Sequence, residues 1–486
     1  MKKYIIGLFA MAMLLGCEKQ VTDLYPTDQI PADRAFENIV DINNGVIGVY
    51  GAWSERRMVY ISSFMTDEIK LGTGSEYRNI GNALFRWQHV SDSQDWRDDE
   101  TGGVWRNMYQ VIDRINRALF YMEKVTPATP AEETLKNQYK GELLALRAMA
   151  HLNLLRTFGN AKAYDASALG VTVMKEYVVS VGTYTSTRAT YGEVIAAINA
   201  DLETAKTLIP ANFVNVSRIT RNAVSAIQAR TALFSNQWQA VVDRATEVLA
   251  AQPISTGTAY SGLWTTRSLP ETQATEVIWK YNIQQSNLGS NIGNLWQDNP
   301  AGRAVQATPS DKLRGAFDQV NDRRFPLFFQ TGATASGGAA RNLIAKYGYA
   351  VTTNTENFQY DIKVLRSSEF LLSRAEAYAE LGRNDLANAD LAQLRTARIA
   401  GYTHTDINDK AQLITAILQE RYKELCYEGN RYYDLKRRGL PIERLSTDVV
   451  GDATIQTLDP TNTKFILPIP QPETFANPSL QQNPGY

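Results

Sequence analysis

Three histidines, two cysteines and two carboxylate clusters are the side chains of this 486-residue chain best suited to bond chemistry. His89, His151 and His404 lie far apart, with no His-x-x-His or His-Glu-x-x-His spacing and no cysteine beside them, so the sequence assembles no metal donor set. Asp98, Asp99 and Glu100 are consecutive, whereas the carboxyls of a glycosidase must flank a sugar ring ~5 Å or more apart. They read as the solvated edge of a loop. Glu420, Glu424 and Glu428 repeat every four residues. No histidine, nucleophile or second acid is placed to work with them, and they read as ion-pair partners that lock helix packing. A G-x-S-x-G elbow, a phosphate-binding loop and a dinucleotide fingerprint are all missing. The sequence therefore assigns no catalytic residue, no metal and no cofactor, and points away from an enzyme.

Binding is better provided for. A sugar presents apolar ring faces bordered by hydroxyls, so its site needs aromatic platforms beside hydrogen-bonding Asp, Asn or Arg side chains. Two stretches mix these types: one carries Asp67, Tyr77, Arg78, Trp87 and Trp96, the other Trp264, Tyr281, Trp296 and Asp298. These are the expected ligand-binding residues. Trp53, Trp105, Trp238 and Trp279 fall in regular helix or strand patterns and are assigned to packing.

The elements that must position such a site are helices with small residues where two of them approach. Phe370 to Ile399, with Ala375, Tyr378, Leu381-Gly382-Arg383, Ala387, Leu391 and Leu394, predicts helix, tight turn, helix, in the manner of a tetratricopeptide unit. Tyr139 to Phe158 with Tyr191 to Leu208, and Asn222 to Phe234 with Trp238 to Ala251, predict two more such pairs, and Val104 to Val125 a further amphipathic helix. Three or more units can stack and bury a continuous face. Met65 to Gly103 and Gln252 to Asn357 are rich in Gly, Ser, Thr, Asn and aromatic residues and too long for plain connectors, so they are expected to form functional loops over that frame. Thr331 to Ala340 is a low-complexity piece with no chemistry attached.

The chain opens with a leader. Lys2 and Lys3 precede an almost wholly apolar run from Ile5 to Leu15, and Gly16-Cys17 completes a cleavage site. The run is too short to span a ~30 Å bilayer as a helix. Cys17 is the expected lipidation site and first mature residue, holding an otherwise soluble protein at a membrane. The formal net charge is −1, or −3 once Lys2 and Lys3 leave with the leader, so no basic excess suits nucleic acid. With Cys17 acylated, Cys426 has no disulfide partner and reads as a small buried hydrophobe. An intracellular tetratricopeptide scaffold binding only protein partners would use the same helices but would not need the Cys17 signal.

The densest motif is AQLITAILQERYKELCYEGNRYYDLKRRGLP, Ala411 to Pro441. Leu413, Ile414, Ile417, Leu418, Tyr422, Leu425 and Cys426 form an apolar stripe, with Arg421, Glu424 and Glu428 on a neighbouring face, which predicts a buried helix with an ion network at its edge. Arg431 is expected to partner buried carboxylates. Glu420, Arg421, Glu424, Leu425, Glu428, Gly429, Arg431, Asp434, Leu435, Arg437 and Gly439 together resemble the signature of the SusD/RagB family of Bacteroidetes surface lipoproteins. Gly141 to Asn160 and the closing KFILPIPQPETFANPSLQQNPGY are similar to other stretches of that family. The resemblance implies a mostly α, SusD-like scaffold of about four tetratricopeptide-like helix pairs with an irregular, loop-rich ligand face. It divides the chain into a leader at 1–16 and one domain at 17–486, with scaffold at about 30–250 and 365–445, ligand-face segments at about 65–103 and 252–357, and an extended segment at 446–486. It also implies a non-enzymatic protein on the outer face of the outer membrane, delivering glycan to a SusC-like TonB-dependent transporter. Some members capture oligopeptides through backbone hydrogen bonds, which makes peptide the rival ligand.

Overall fold

Several helices in this chain start where a side-chain oxygen caps them. Asn38 accepts from the backbone of Val40 and Asp41 while Asp41 answers from the third helical position, opening α1 (Ile39–Ala52). α2 (Arg56–Met65) and α3 (Thr101–Met122) follow. Thr129 caps α4 (Pro130–Phe158), with Pro130 at the first position, where no backbone donor is needed. A Thr190–Glu193 capping box opens α5 (Tyr191–Leu208), and Thr220 caps α6 (Arg221–Phe234). The remaining long helices are α7 (Trp238–Ala251), α8 (Gly257–Thr265), α9 (Ser367–Glu380), α10 (Asn384–Arg398), α11 (Lys410–Glu424) and α12 (Arg431–Arg438). This computed structural model describes residues 34–71, 81–91, 101–178, 186–283, 291–296, 305–332, 341–347, 359–449 and 453–486. Cys17 and the leader lie outside them, as do Asp98, Asp99 and Glu100.

The helices stack in chain order. α3 packs on α4, α4 on α5, α5 on α6, α6 on α7, α7 on α9, and α9 on both α10 and α11. The three predicted pairs are thus formed, in a mostly α, tetratricopeptide-like scaffold. Gly382 makes the turn between α9 and α10 at φ +75°, a left-handed conformation that glycine adopts freely. Gly141 does a different job: a Cβ there would stand 2.7 Å from Ile209 Cγ1 and 3.1 Å from the Ala205 carbonyl, so its missing side chain sets how closely α4 and α5 approach.

Among the described residues, four two-stranded antiparallel ribbons run between the scaffold helices. β1 (Ile69–Leu71) pairs with β3 (Ala307–Pro309), and β2 (Val277–Tyr281) with β6 (Ile362–Arg366). β4 (Phe329–Gly332) pairs with β5 (Arg341–Ile344), and β7 (Ile442–Glu443) with β8 (Thr457–Leu458). The predicted irregular stretch 252–357 therefore also contributes α8 and the strands β2, β3, β4 and β5. A continuous buried cluster runs from Ile42 to Leu480, and a second lies under α9, α10 and α11. Trp53, Trp105 and Trp279 are core residues and Trp238 is half-buried. Cys426 is fully buried, its thiol pushed up to about 12 by that burial. Among the described residues, no helix is long and apolar enough to cross a membrane.

The ion network of the C-terminal motif lies inside the protein, not at the helix edge. Glu424 accepts from Arg324 (3.1 Å), Arg366 (3.0 Å) and Arg398 (3.1 Å), and all four side chains are at most 1 % exposed. Glu420 takes Arg324 (2.6 Å) and Arg395 (2.9 Å), and Glu428 takes Lys346 (2.6 Å) and Arg366 (2.7 Å). Glu276 adds further contacts to Arg366 and Arg398. Arg421 pairs with Asp434, which also holds Arg437, and Arg437 reaches Glu376 at 2.6 Å. Burial alone would raise the Glu424 pKa; Arg398, Arg366 and Arg324 overcome it and hold the carboxyl well below its ordinary range. Arginine suits this role because its planar fork serves two carboxylates at once.

Candidate functional site

α2 is buried from Met58 to Met65, and the flanks of the aromatic-rich segments are rooted on it. At its start, Arg56 Nε donates to the Asn291 carbonyl at 3.1 Å. At its end, the Phe64 ring stacks on Trp296 with centroids 6.3 Å apart, and also lies under Gly81, where φ is +74° and a Cβ would meet Phe64 Cδ1 at 2.0 Å. Trp87 Nε1 donates to the Met65 carbonyl at 3.0 Å. Leu71 pairs with Ala307 across β1 and β3, and the backbone N–H of Gln306 donates to the Trp296 carbonyl at 2.8 Å. The described ends at 81, 291 and 296 thereby meet α2, and those at 71 and 305 join them through the β1–β3 pair and Trp296. Tyr77, Arg78 and Asp298 belong to segments these ends flank, Trp96 to 92–100, between residue 91 and α3, and all four lie outside the described residues.

The other expected ligand residues are in the interior. Asp67 is fully buried and engages Arg431 through both oxygens at 2.8 Å, with Lys312 Nζ at 2.9 Å. It is the buried carboxylate that Arg431 was expected to partner. Trp87 is covered by the Arg444 guanidinium, 4.3 Å from its ring centre. Trp264 sits edge-on to Phe328 and Tyr347 at 5.3 and 5.6 Å, with Lys346 over its face. Trp296 is held between Phe64 and Tyr427, and Tyr281 lies in β2 opposite Ile362. The expectation of exposed platforms at Asp67, Trp87, Trp264, Tyr281 and Trp296 is corrected: large rings in irregular segments are here used to anchor those segments to the core.

Two buried cations, Arg444 and Lys436, organise this region through backbone carbonyls. Arg444, 3 % exposed, donates to the carbonyls of Thr66 (2.9 Å), Met65 (3.1 Å), Phe85 (2.7 Å) and Ile455 (3.2 Å). It joins the last carbonyls of α2 to the segment carrying Trp87 and to the C-terminal segment, satisfying groups that a helix end leaves open. Lys436 stands in the last turn of α12, where a cation could serve that helix's own C-terminus. Instead Nζ donates to the carbonyls of Arg156, Thr157 and Gly159 at 3.0 to 3.2 Å, so α12 caps the end of α4. Both depend on residues far away in sequence, which no local pattern reveals.

Neighbouring carboxylates here are driven in opposite directions. Burial would raise Asp67, but Arg431 and then Lys312 bring it down to about 2. Glu68, buried with hydrogen bonds from Ser63 and the Tyr427 N–H and no ion-pair partner among the described residues, is pushed up to about 7 by burial. A depressed carboxyl stabilises the fold above its unfolded pKa of about 3.9 and loses that contribution as pH falls toward its folded value. A raised one costs stability as pH climbs from about 4.3 to its folded value. The stability profile is therefore expected to fall below about pH 4 through Asp67 and to decline toward pH 7 through Glu68. Arg431→Ala should remove part of the acid limb and roughly 2 to 3 kcal/mol of stability, less than a fully orphaned buried charge costs, because Lys312 remains. Urea titrations from pH 3 to 8 on the parent and this variant check both statements; an unchanged acid limb would refute the assignment to Asp67.

Among the described residues, no group of three His, Cys, Asp or Glu side chains could hold a metal ion. What the fold defines is a helical-repeat scaffold carrying a loop-bearing face. Residues 328–486 match the model of the SusD family, and residues 29–233 match a second model described as starch-binding associating with outer membrane. The chain belongs to the SusD family. It is 23% identical to SusD-like protein P38 of Formosa agariphila, over 99% of this chain and 97% of that protein. Its fold is shared with a SusD superfamily protein of Bacteroides thetaiotaomicron (TM-score 0.76, 21% identity, 92% of this chain and 100% of the other). It is shared equally with a putative sugar binding protein of Bacteroides vulgatus (TM-score 0.75, 23% identity, 93% and 99%).

Proposed function

We propose that this protein is a lipid-anchored, cell-surface binding protein of the outer membrane that captures oligosaccharide and passes it to a SusC-like TonB-dependent transporter, without catalysing a reaction. The observation that carries the reading is the convergence on α2 of the ends that flank the aromatic segments, in a member of a family one of whose models is described as starch-binding. A relative of the same fold is called a sugar binding protein. Anchoring rests on the Cys17 signal. Ligand contacts are assigned to Tyr77, Arg78 and Trp96, whose ring and guanidinium chemistry suits a sugar face and its hydroxyls. A glycan array run beside a peptide-pool pull-down tests the ligand class: oligosaccharide retention is expected, and peptides retained with no sugar bound would overturn it. On the glycan found, Trp96→Ala and Tyr77→Ala should each weaken binding by about 1 to 3 kcal/mol in titration calorimetry.

A further inference from the structure

The first helices of the scaffold carry an aromatic surface that the ligand face does not use. Phe120, near the end of α3, is 45 % exposed; its ring meets Tyr121 edge-on at 5.1 Å and Tyr177 at 5.6 Å, and Phe36 stacks on Tyr121 at 6.0 Å. Beside it, α1 turns Val40 and Ile47 outward, 61 % and 53 % exposed and two helical turns apart on one side. Arg114 Nη1 donates to the Gly48 carbonyl at 3.3 Å, tying that side of α1 to α3. Exposed apolar residues gathered in this way mark an interaction surface.

Charge narrows the partner. The Lys124 ammonium stands over Phe120 (5.1 Å) and Tyr121 (4.7 Å), and the Arg117 guanidinium over Tyr177 (4.8 Å). The nearby carboxylates Asp113 and Glu123 are already engaged, by Arg117 at 3.0 Å and Lys140 at 2.6 Å. Lys124 has no ion-pair partner among the described residues. Because the cations cover ring faces, a sugar could not stack there without displacing them, whereas ring edges beside an ammonium are the chemistry that settles at the headgroup level of a bilayer. Position agrees with charge. Phe36 lies nineteen residues after Cys17, so even a fully extended chain keeps it within about 65 Å of the acyl anchor.

We infer that this patch of α1 and α3 is a membrane-contact surface that rests on the phospholipid headgroups around the anchor; the inference depends on the anchoring reading above. The test uses the acylated full chain in vesicles of phosphatidylethanolamine and phosphatidylglycerol. A spin label is placed at Ile47→Cys or, as control, at Val320→Cys, which is 89 % exposed on the loop bonded to the chain just after α10, at the other end of the stack. With Cys17 acylated and Cys426 buried, the introduced thiol takes the label. The label at 47 should be several-fold less accessible than that at 320 to a water-soluble nickel chelate, and Phe120→Ser combined with Lys124→Glu should abolish the difference while leaving the unfolding temperature nearly unchanged. Equal accessibility at 47 and 320 on protein that stays with the vesicles overturns the contact and assigns the patch to a protein neighbour. Protein that leaves the vesicles overturns the anchoring, and this contact with it.

Discussion

Glu424→Gln is expected to lower the stability of the protein by about 3 to 5 kcal/mol, the cost of breaking a buried ion pair from one side. Gln has the same shape, so no cavity confuses the result. What changes is that Arg324, Arg366 and Arg398, each at most 1 % exposed, lose the carboxylate they share. Glu420, Glu428 and Glu276 remain and would hold Arg324, Arg366 and Arg398 in part, which places the expected loss within that range and not above it. Denaturant unfolding at neutral pH measures it. A loss below about 1 kcal/mol would mean that the network behaves like a surface pair, contrary to its burial.

Trp296→Ala is the second large effect, about 3 to 5 kcal/mol, because a buried ring is removed from a packed site and the space left between Phe64 and Tyr427 cannot close without moving α2. The same substitution on an exposed binding platform would cost affinity and little stability. Thermal unfolding without ligand therefore separates the two roles. A variant as stable as the parent would return Trp296 to the ligand surface.

The division between what could and could not be read from the sequence follows the range of the interactions. Helix pairs such as α6 with α7 and α9 with α10 are written in apolar periodicity and in the tight turns between the helices, and were legible. The C-terminal motif was legible for a related reason: Arg and Glu spaced at helical intervals beside an apolar stripe have few uses other than ion pairing, although the helix period did not say that the pairs would be interior. Trp87, Trp264 and Trp296 misled because irregular segments have no period to mark an inward side, and their covering groups, Arg444, Tyr347 and Tyr427, come from distant parts of the chain. Asp67 failed in the same way, since its partner stands 364 residues away.

The bond between Asp67 and Arg431, together with the grip of Lys436 on the end of α4, has a consequence for how the chain must assemble. Contacts that close so long a loop form late, after the local helix pairs. Until the last sixty residues have been made, the end of α4 lacks its ammonium cap and the carboxylate beside β1 lacks its guanidinium. The order of synthesis thus leaves the segment after α2 unsealed while the helical stack can already form. A chain ending before Arg431 should accordingly persist as a stacked but unsealed intermediate, recognisable by helical signal and by rapid proteolysis around residues 60 to 90.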